Sequence, residues 1–160
     1  MRSPDPSSPV LVLEIECVAD LDAVEAVRAA VTPRLAGAGA AERDLNRLEV
    51  ILEELIANIA RHGVRPEGPA TLRLSLSCDA AALTLVLEDD AAPFDPTARA
   101  VPEKARSLAD AVPGGMGLVL VRKLSRRFEY ERADGAAPAR TRFRPVNRVR
   151  VEIERVGETR

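Results

Sequence analysis

Three clusters of residues in this sequence have types and spacings that could bind a ligand, and the first would lie along one strip of a helix. Glu54, Asn58 and His62 recur at intervals of four residues, so a helix would stack their side chains next to one another. Such a strip can serve a ligand. Polar residues beside an apolar helix face are more often simply solvated, and a histidine near a helix C-terminus also interacts with the last carbonyls and the helix dipole.

The second cluster is acidic and follows a stretch rich in Leu and Val. It runs Asp89-Asp90-Ala91-Ala92-Pro93-Phe94-Asp95. A carboxylate fixed at the end of a buried strand can accept a hydrogen bond from an exocyclic amino group, and Phe94 could fold back to pack the turn. Ordinary loops also place acidic residues after strands, so this cluster alone leaves both interpretations open.

The third cluster is a glycine-rich loop that leads into a helix. It begins Gly114-Gly115-Met116-Gly117-Leu118 and continues to Leu124. Glycines let a backbone come close to phosphates, and a helix N-terminus presents free N–H groups and a positive dipole. A flexible linker before a helix has the same pattern. The cluster is neither a Walker loop, since no Gly-Lys-Ser/Thr follows, nor a dinucleotide fingerprint, since no βαβ unit surrounds it.

The strongest helical pattern in the sequence carries the first cluster. Its apolar face consists of Leu48, Ile51, Leu52, Leu55, Ile56 and Ile59, and the pattern ends at Gly63. Before it, the sequence predicts a strand over residues 10–17 and a helix over residues 20–35. Asp20 is placed to cap that helix, and Pro33 is placed to end it early.

The second and third clusters flank a long predicted loop. Strands over residues 70–78 and 83–88, joined by a short turn, form a predicted hairpin that ends at the acidic cluster. Prolines then interrupt residues 89–117, which are predicted to be a loop with one short helix around residues 103–109. A helix over residues 118–124 follows. Residues 128–132 and 148–153 are predicted closing strands, with an ill-defined connection between them.

Composition limits the fold and the classes of partner. A chain of 160 residues with 46% apolar and 30% charged residues fits one folded domain. Aromatic residues make up 2% and the net charge is -2, so direct nucleic-acid binding is not expected. Cys17 and Cys78 lie in apolar stretches and are predicted to be buried thiols. No apolar stretch approaches membrane-spanning length and the N-terminus lacks a signal-peptide pattern, so the predicted compartment is the cytoplasm, without membrane binding.

In order and spacing, the three clusters closely resemble the N, G1 and G2 boxes of the GHKL ATPases. The matching motifs are Glu54-x-x-x-Asn58-x-x-x-His62-Gly63, then Asp89-x-Ala91-x-Pro93-Phe94-Asp95, then Gly115-x-Gly117-Leu118. Within that superfamily the sequence is most similar to the anti-sigma-factor serine/threonine kinases, because of its Pro-Phe-Asp-Pro and Gly-Gly-Met-Gly-Leu runs. Asn147, at the start of the last predicted strand, also fits that branch. The resemblance covers about residues 10–155.

The resemblance implies an α+β fold, a two-layer α/β sandwich in which helices cover one face of a mixed, mostly antiparallel sheet. ATP would lie between a helix and a lid of about residues 97–114, with tails at residues 1–9 and 156–160. By resemblance, Glu54 would be the general base, Asn58 would ligate Mg²⁺, and Asp89 would accept a hydrogen bond from the adenine amino group. The rest of the expected nucleotide-binding set is His62, Ala91, Phe94, Gly114, Gly115, Met116, Gly117 and Leu118.

The activity that the resemblance implies is that of an ATP-dependent serine/threonine protein kinase and anti-sigma factor in a partner-switching pathway. The phosphate acceptor would be a STAS-domain anti-anti-sigma protein, the other partner a sigma factor, and the assembly a homodimer.

The rival interpretation is an ATP-binding regulatory module that sequesters a sigma factor or another regulator without phosphoryl transfer. Glu54 and Asn58 favour the enzyme. Ala91 leaves room for the module, because it replaces the usual G1 glycine and is expected to narrow the adenine pocket or shift the turn. A histidine-kinase catalytic domain fits less well, since no phosphoacceptor helix precedes the domain.

Overall fold

The computed structural model describes residues 9–98, 116–133 and 143–156, and these ranges form five strands and three helices. In chain order they are β1 (Val10–Val18), α1 (Leu21–Gly37), α2 (Glu42–His62), β2 (Thr71–Cys78), β3 (Ala82–Asp89), α3 (Met116–Leu124), β4 (Arg127–Arg132) and β5 (Asn147–Glu154). The elements predicted within the described ranges are all present, and their predicted ends differ from the observed ones by at most two residues.

The strands form one sheet in the order β1-β2-β3-β5-β4. All four pairings are antiparallel in the described sheet, where the family resemblance allows for a mixed one. Alternate residues of β2 are buried, so one face of the sheet is covered and the other only partly. The helices share a single core with the covered face, which confirms the predicted α+β two-layer sandwich.

The core between the helices and the sheet is built from aliphatic side chains. Its largest fully buried members are Leu35, Leu48, Ile51, Leu52, Ile56, Leu72, Leu74, Leu76, Leu83, Leu85, Leu87 and Ile153. The predicted apolar face of α2 lies within this core, with Ile59 partly buried at its edge. Such packing fixes α2 against the sheet, and therefore fixes the strip of polar residues that α2 carries. None of the described helices has the length and apolar character needed to cross a bilayer.

The face of the sheet opposite the helices carries ion pairs between neighbouring strands. Arg73 on β2 pairs with Glu16 on β1 at 2.9 Å, and Arg148 on β5 pairs with both Glu88 and Glu131 at 2.6 Å. Exposed pairs of this kind contribute little to stability, with a median of about 0–1 kcal/mol. The buried Phe143 ring lies 4.7 Å from the Arg73 guanidinium, so part of this face is covered, and the aliphatic core lies on the helix-covered face.

Helix α1 begins where the sequence predicts and ends later. The Asp20 carboxylate accepts a hydrogen bond from the Ala23 N–H at 2.8 Å, as an N-cap residue does. The expectation that Pro33 ends the helix early is wrong, because the helix continues through Pro33 to Gly37. The additional turn buries Leu35 completely, and this burial outweighs the hydrogen bond that Pro33 cannot donate.

Residues that are distant in sequence meet at the end of the sheet where β3 stops and β5 begins. Asp89, at the end of β3, pairs with Asn147 at the start of β5, and Arg132 at the end of β4 pairs with the same residue. Gly63, which follows α2, lies against Ala91 in the turn after β3. The first and second sequence clusters therefore meet at this end of the sheet.

Several predicted features lie outside the described residues. They are the short helix around residues 103–109, most of the lid, most of the connection between β4 and β5, and all but the innermost residue of each tail. These features stay predictions.

The burial of Leu35 beyond Pro33 can be tested by truncating its side chain. Leu35→Ala should lower the free energy of unfolding by about 2–5 kcal/mol, because it leaves a cavity in the core. Arg34→Ala, an exposed neighbour, is the control and should change it by no more than about 0.5 kcal/mol. Equal effects of the two substitutions in urea denaturation would mean that the last turn of α1 does not pack as described.

Candidate functional site

A cavity of about 180 Å³ lies between the C-terminal half of α2 and the turn that follows β3. Its apolar lining consists of Leu55, Ile59, Gly63, Leu87, Ala92, Pro93, Phe94, Pro96 and Val149. Its polar side chains are Asn58, His62, Asp89 and Asn147. Pockets that enclose a whole small-molecule ligand typically measure about 300–1,000 Å³. The cavity therefore suits one flat group of a ligand, such as a purine base, with the rest of the ligand outside it.

Two residues of the predicted α2 strip line this cavity. Asn58 makes no hydrogen bond with any described residue, so its amide is available to a ligand. His62 lies one turn further on and is exposed at the end of the helix. The apolar face of α2 fixes both positions, because it is packed against the sheet.

Glu54, the third residue of the strip, lies against the start of α3. A Cβ added at Gly117 would overlap the Glu54 carboxylate, so only a residue without a side chain allows this approach. The first turn of α3 has no acidic residue of its own. Glu54 therefore places a negative charge at a helix N-terminus, where free N–H groups and the helix dipole favour anions. The first and third sequence clusters meet at this contact.

Asp89 forms the polar end of the cavity and is only 4% exposed. Its Oδ1 accepts hydrogen bonds from the Asn147 amide at 2.8 Å and from the Ala91 N–H at 3.0 Å, whereas no described residue donates to Oδ2. Burial raises the pKa of the Asp89 carboxyl, the hydrogen bonds from Asn147 and Ala91 lower it, and the nearby Asp90 raises it again. Oδ2 is thus the oxygen that remains available to a ligand.

Asn147 connects Asp89 with the rest of the turn and with β4. Its amide nitrogen also donates to the Ala92 carbonyl at 3.0 Å. Its amide oxygen accepts from the Phe94 N–H at 3.0 Å and from the Tyr130 hydroxyl at 2.9 Å. Burial raises the pKa of Tyr130, so that its hydroxyl stays protonated and able to donate. One buried side chain therefore fixes the path of the turn beside the cavity.

Separate contacts hold the two ends of the turn. Asp90 accepts hydrogen bonds from Arg65 and from the Thr71 N–H, both at 2.7 Å. Arg122 on α3 donates to the Thr97 carbonyl at 2.6 Å. The turn is thus attached to the loop after α2, to β2 and to α3.

Ala91, which replaces the usual glycine of the second cluster, packs against Gly63. A Cβ added at Gly63 would lie 3.0 Å from the Ala91 Cβ and 2.5 Å from the Ile59 carbonyl oxygen. No described residue other than glycine has a positive φ, so the turn does not require glycine at position 91. Ala91 is buried and is not among the described residues that line the cavity. The glycine at position 63 therefore provides the room that the methyl group of Ala91 occupies.

The other predicted nucleotide-binding residues take different positions. Phe94 lines the cavity and is 39% exposed. Met116 is exposed at the start of α3 and Leu118 is buried in the core, and neither is among the described lining residues. Gly114 and Gly115 lie outside the described residues.

Two residues of the site receive no ligand-related role in the sequence analysis. Asn147 enters it only as a motif residue, and Tyr130 enters it only as part of a predicted strand. One sequence signal could have identified Asn147: it is a polar residue at the start of a strand whose other alternate positions, Val149, Val151 and Ile153, are apolar. Asn147 and Asp89 are 58 residues apart, so their contact depends on the pairing of β3 with β5, which periodicity alone does not determine.

Together, the sandwich, the base-sized cavity with a buried carboxylate, and the helix N-terminus beside it define a nucleotide-binding domain. Comparison with known proteins specifies the family. The chain matches the histidine kinase-like ATPase domain over residues 17–143. It therefore belongs to the histidine kinase-like ATPase family, and this confirms both the GHKL resemblance and ATP binding.

A curated relative of the chain is named as a serine/threonine-protein kinase. Over 88 residues the chain is 39% identical to the serine/threonine-protein kinase BtrW of Bordetella bronchiseptica. The alignment covers 55% of this chain and 62% of that relative, so the chain spans less than two thirds of the relative's length. Together with the family match, this similarity identifies a kinase-like ATPase.

The donor atoms at the site fit a magnesium ion bound with a nucleotide. In the part of the chain that the structure describes, no group of three His, Cys, Asp or Glu side chains could hold a metal. Mg²⁺ is commonly held by one or two protein oxygens together with substrate phosphates and water. The unpartnered amide of Asn58 can supply one such oxygen.

The packing of Gly63 against Ala91 leads to a prediction about stability. Gly63→Ala should lower the free energy of unfolding by about 1–3 kcal/mol, because the new methyl group meets the Ile59 carbonyl and Ala91. Adding Ala91→Gly should restore only part of this loss, since the Ile59 carbonyl remains. Gly37→Ala is the control, because its added Cβ would meet no atom within 4 Å apart from its chain neighbours and the backbone of its own helix. Thermal denaturation that finds Gly63→Ala as stable as Gly37→Ala would contradict this packing.

Proposed function

We propose that the protein is an ATP-dependent serine/threonine kinase that acts as an anti-sigma factor in a partner-switching pathway. The observation that carries this proposal is the placement of three polar residues around one site. Asn58 and Asp89 line the same cavity, and Glu54, one turn before Asn58, lies at the N-terminus of α3. Similarity to a relative named as a serine/threonine-protein kinase supports the reaction class.

In this proposal the cavity holds the adenine base, with the adenine amino group donating to Oδ2 of Asp89. An ionised carboxylate accepts hydrogen bonds and cannot donate them. It therefore favours the 6-amino group of adenine over the 6-oxo group of guanine. A hydrogen bond to a charged group contributes about 1.5–3 kcal/mol, which corresponds to about ten- to a hundredfold in affinity. The apolar lining excludes water from this bond.

The phosphates would lie outside the cavity, towards the start of α3. Asn58 would hold Mg²⁺ through its amide oxygen, together with phosphate oxygens of the nucleotide. When bound there, Mg²⁺ neutralises phosphate charge and leaves the γ-phosphorus open to attack. By the family resemblance, Gly117 would let the backbone of α3 approach the phosphates closely, and the N–H groups at the start of α3 would bind their oxygens.

The transfer step would use Glu54 as the general base. A serine or threonine oxygen of the partner protein forms a bond to the γ-phosphorus, the bond between that phosphorus and the β,γ-bridging oxygen breaks, and ADP leaves. The proton of the attacking hydroxyl passes to the Glu54 carboxylate. Glu54 is suited to this role because it is only partly buried and lies beside the helix N-terminus that would bind the phosphates.

The partners in this proposal follow from the family resemblance of the sequence. The acceptor would be a serine or threonine on a STAS-domain anti-anti-sigma protein, and the other partner would be a sigma factor. A homodimer in the cytoplasm would be the active assembly. The alternative function, a regulatory module without phosphoryl transfer, has its main support in Ala91. Since Ala91 packs against Gly63, that support is weak.

Kinase activity and simple binding can be separated by substitutions on α2. Glu54→Gln should reduce phosphorylation of a STAS partner by about 10²- to 10⁴-fold with little change in ATP affinity, because the side chain keeps its shape and loses the base. Asn58→Ala should weaken both Mg²⁺-ATP binding and transfer, because it removes a metal ligand. Calorimetry and phosphotransfer assays measured in parallel provide both quantities.

Glu53→Gln is the matched control, because Glu53 is the exposed neighbour of Glu54 on the same helix. It should leave binding and transfer unchanged. Transfer at the full rate by Glu54→Gln would show that Glu54 is not the base. A wild-type protein that binds its partner and never phosphorylates it would establish the regulatory module instead.

A further inference from the structure

We propose that Tyr130, on the edge strand β4, is a positioning residue for adenine recognition that acts through Asn147 on Asp89. The three side chains form a continuous series of hydrogen bonds, with 2.9 Å between Tyr130 and Asn147 and 2.8 Å between Asn147 and Asp89. Tyr130 is not among the described residues that line the cavity. The inference rests on the proposed role of Asp89 in binding adenine.

Two backbone groups determine the orientation of the Asn147 amide. The Phe94 N–H can only donate, so the amide atom that faces it must be the oxygen. The Ala92 carbonyl can only accept, so the atom that faces it must be the nitrogen. The oxygen and nitrogen of an asparagine amide are usually told apart by their hydrogen-bond partners. At Asn147 the two backbone partners agree on which atom is the oxygen.

This orientation determines the direction of every other hydrogen bond in the series. The Asn147 oxygen has no hydrogen, so the Tyr130 hydroxyl must be the donor. The Asn147 nitrogen donates to Asp89 Oδ1, which also accepts from the Ala91 N–H. Oδ1 is thus occupied by two donors, and Oδ2 is left as an acceptor for the ligand.

The contribution of Tyr130 is to hold the Asn147 side chain in place, while two backbone groups fix the orientation of its amide. An amide rotated by half a turn would direct its oxygen at the Asp89 carboxylate, and two acceptors would then face each other. The Phe94 N–H and the Ala92 carbonyl oppose that rotation, because the first can only donate and the second can only accept, whereas the Tyr130 hydroxyl can bond to either amide atom. Asp89 is almost fully buried, so a lost or reversed hydrogen bond there is not replaced readily by water.

The decisive experiment is a double-mutant cycle between Tyr130→Phe and Asp89→Asn, with Mg²⁺-ATP affinity measured by calorimetry. Tyr130→Phe removes one hydroxyl and keeps the ring, and it should weaken ATP binding about three- to tenfold. Asp89→Asn keeps an oxygen for Ala91 and Asn147, but it can place an N–H opposite the adenine amino group, and it should weaken binding about ten- to a hundredfold. In the Asp89→Asn background, Tyr130→Phe should cause little further loss if, as proposed, its effect on the ligand passes through Asp89.

Phe128→Leu is the matched control, because Phe128 lies on the same strand, is also partly buried and packs on the same core. It should leave ATP affinity within twofold of wild type. If Tyr130→Phe behaves like this control, or if its effect adds in full to that of Asp89→Asn, the positioning role of Tyr130 is overturned and the role of Asp89 stands. If Asp89→Asn binds ATP as wild type does, the proposed adenine contact fails, and the inference fails with it.

Discussion

A carboxylate buried at the end of a central strand must be hydrogen-bonded, because burial without partners disfavours its charged form. Asp89 satisfies this requirement through Asn147 and the Ala91 N–H. The partner in β5 is available only because the antiparallel register sets Asn147 opposite Asp89. The pairing of β3 with β5 thus determines which oxygen of Asp89 is hydrogen-bonded within the protein and which one faces a ligand.

The second constraint is the close approach of backbone segments, which glycine permits at two places. Gly117 lets the start of α3 meet the Glu54 carboxylate, and Gly63 leaves room for the methyl group of Ala91. At both places one element has no side chain where the other needs the space. The helix α2 is common to the two contacts, and its apolar face fixes it on the sheet. A rigid core element therefore sets the distance between the cavity and the N-terminus of α3.

The sequence predicts the elements of the fold well, because hydrophobic periodicity is strong in α2 and in the β2–β3 hairpin. It fails at Pro33, where burial of Leu35 outweighs a local helix-breaking preference. For the site, Asn58 and Asp89 line a common cavity, and their ligand roles stay predictions that only the order of three motifs makes specific. The hydrogen bonds among Asp89, Asn147 and Tyr130 depend on long-range pairing, which local patterns do not contain.

The proposed function depends most directly on one proposed contact, between the buried Asp89 carboxylate and the amino group of adenine. The most direct test changes the ligand and not the protein, by comparing ATP with purine riboside triphosphate, which has hydrogen in place of the 6-amino group. We expect the wild-type protein to bind ATP about ten- to a hundredfold more tightly than this analogue, since the analogue leaves Oδ2 of Asp89 without a donor. Equal affinities for the two nucleotides in calorimetry would contradict the proposed contact.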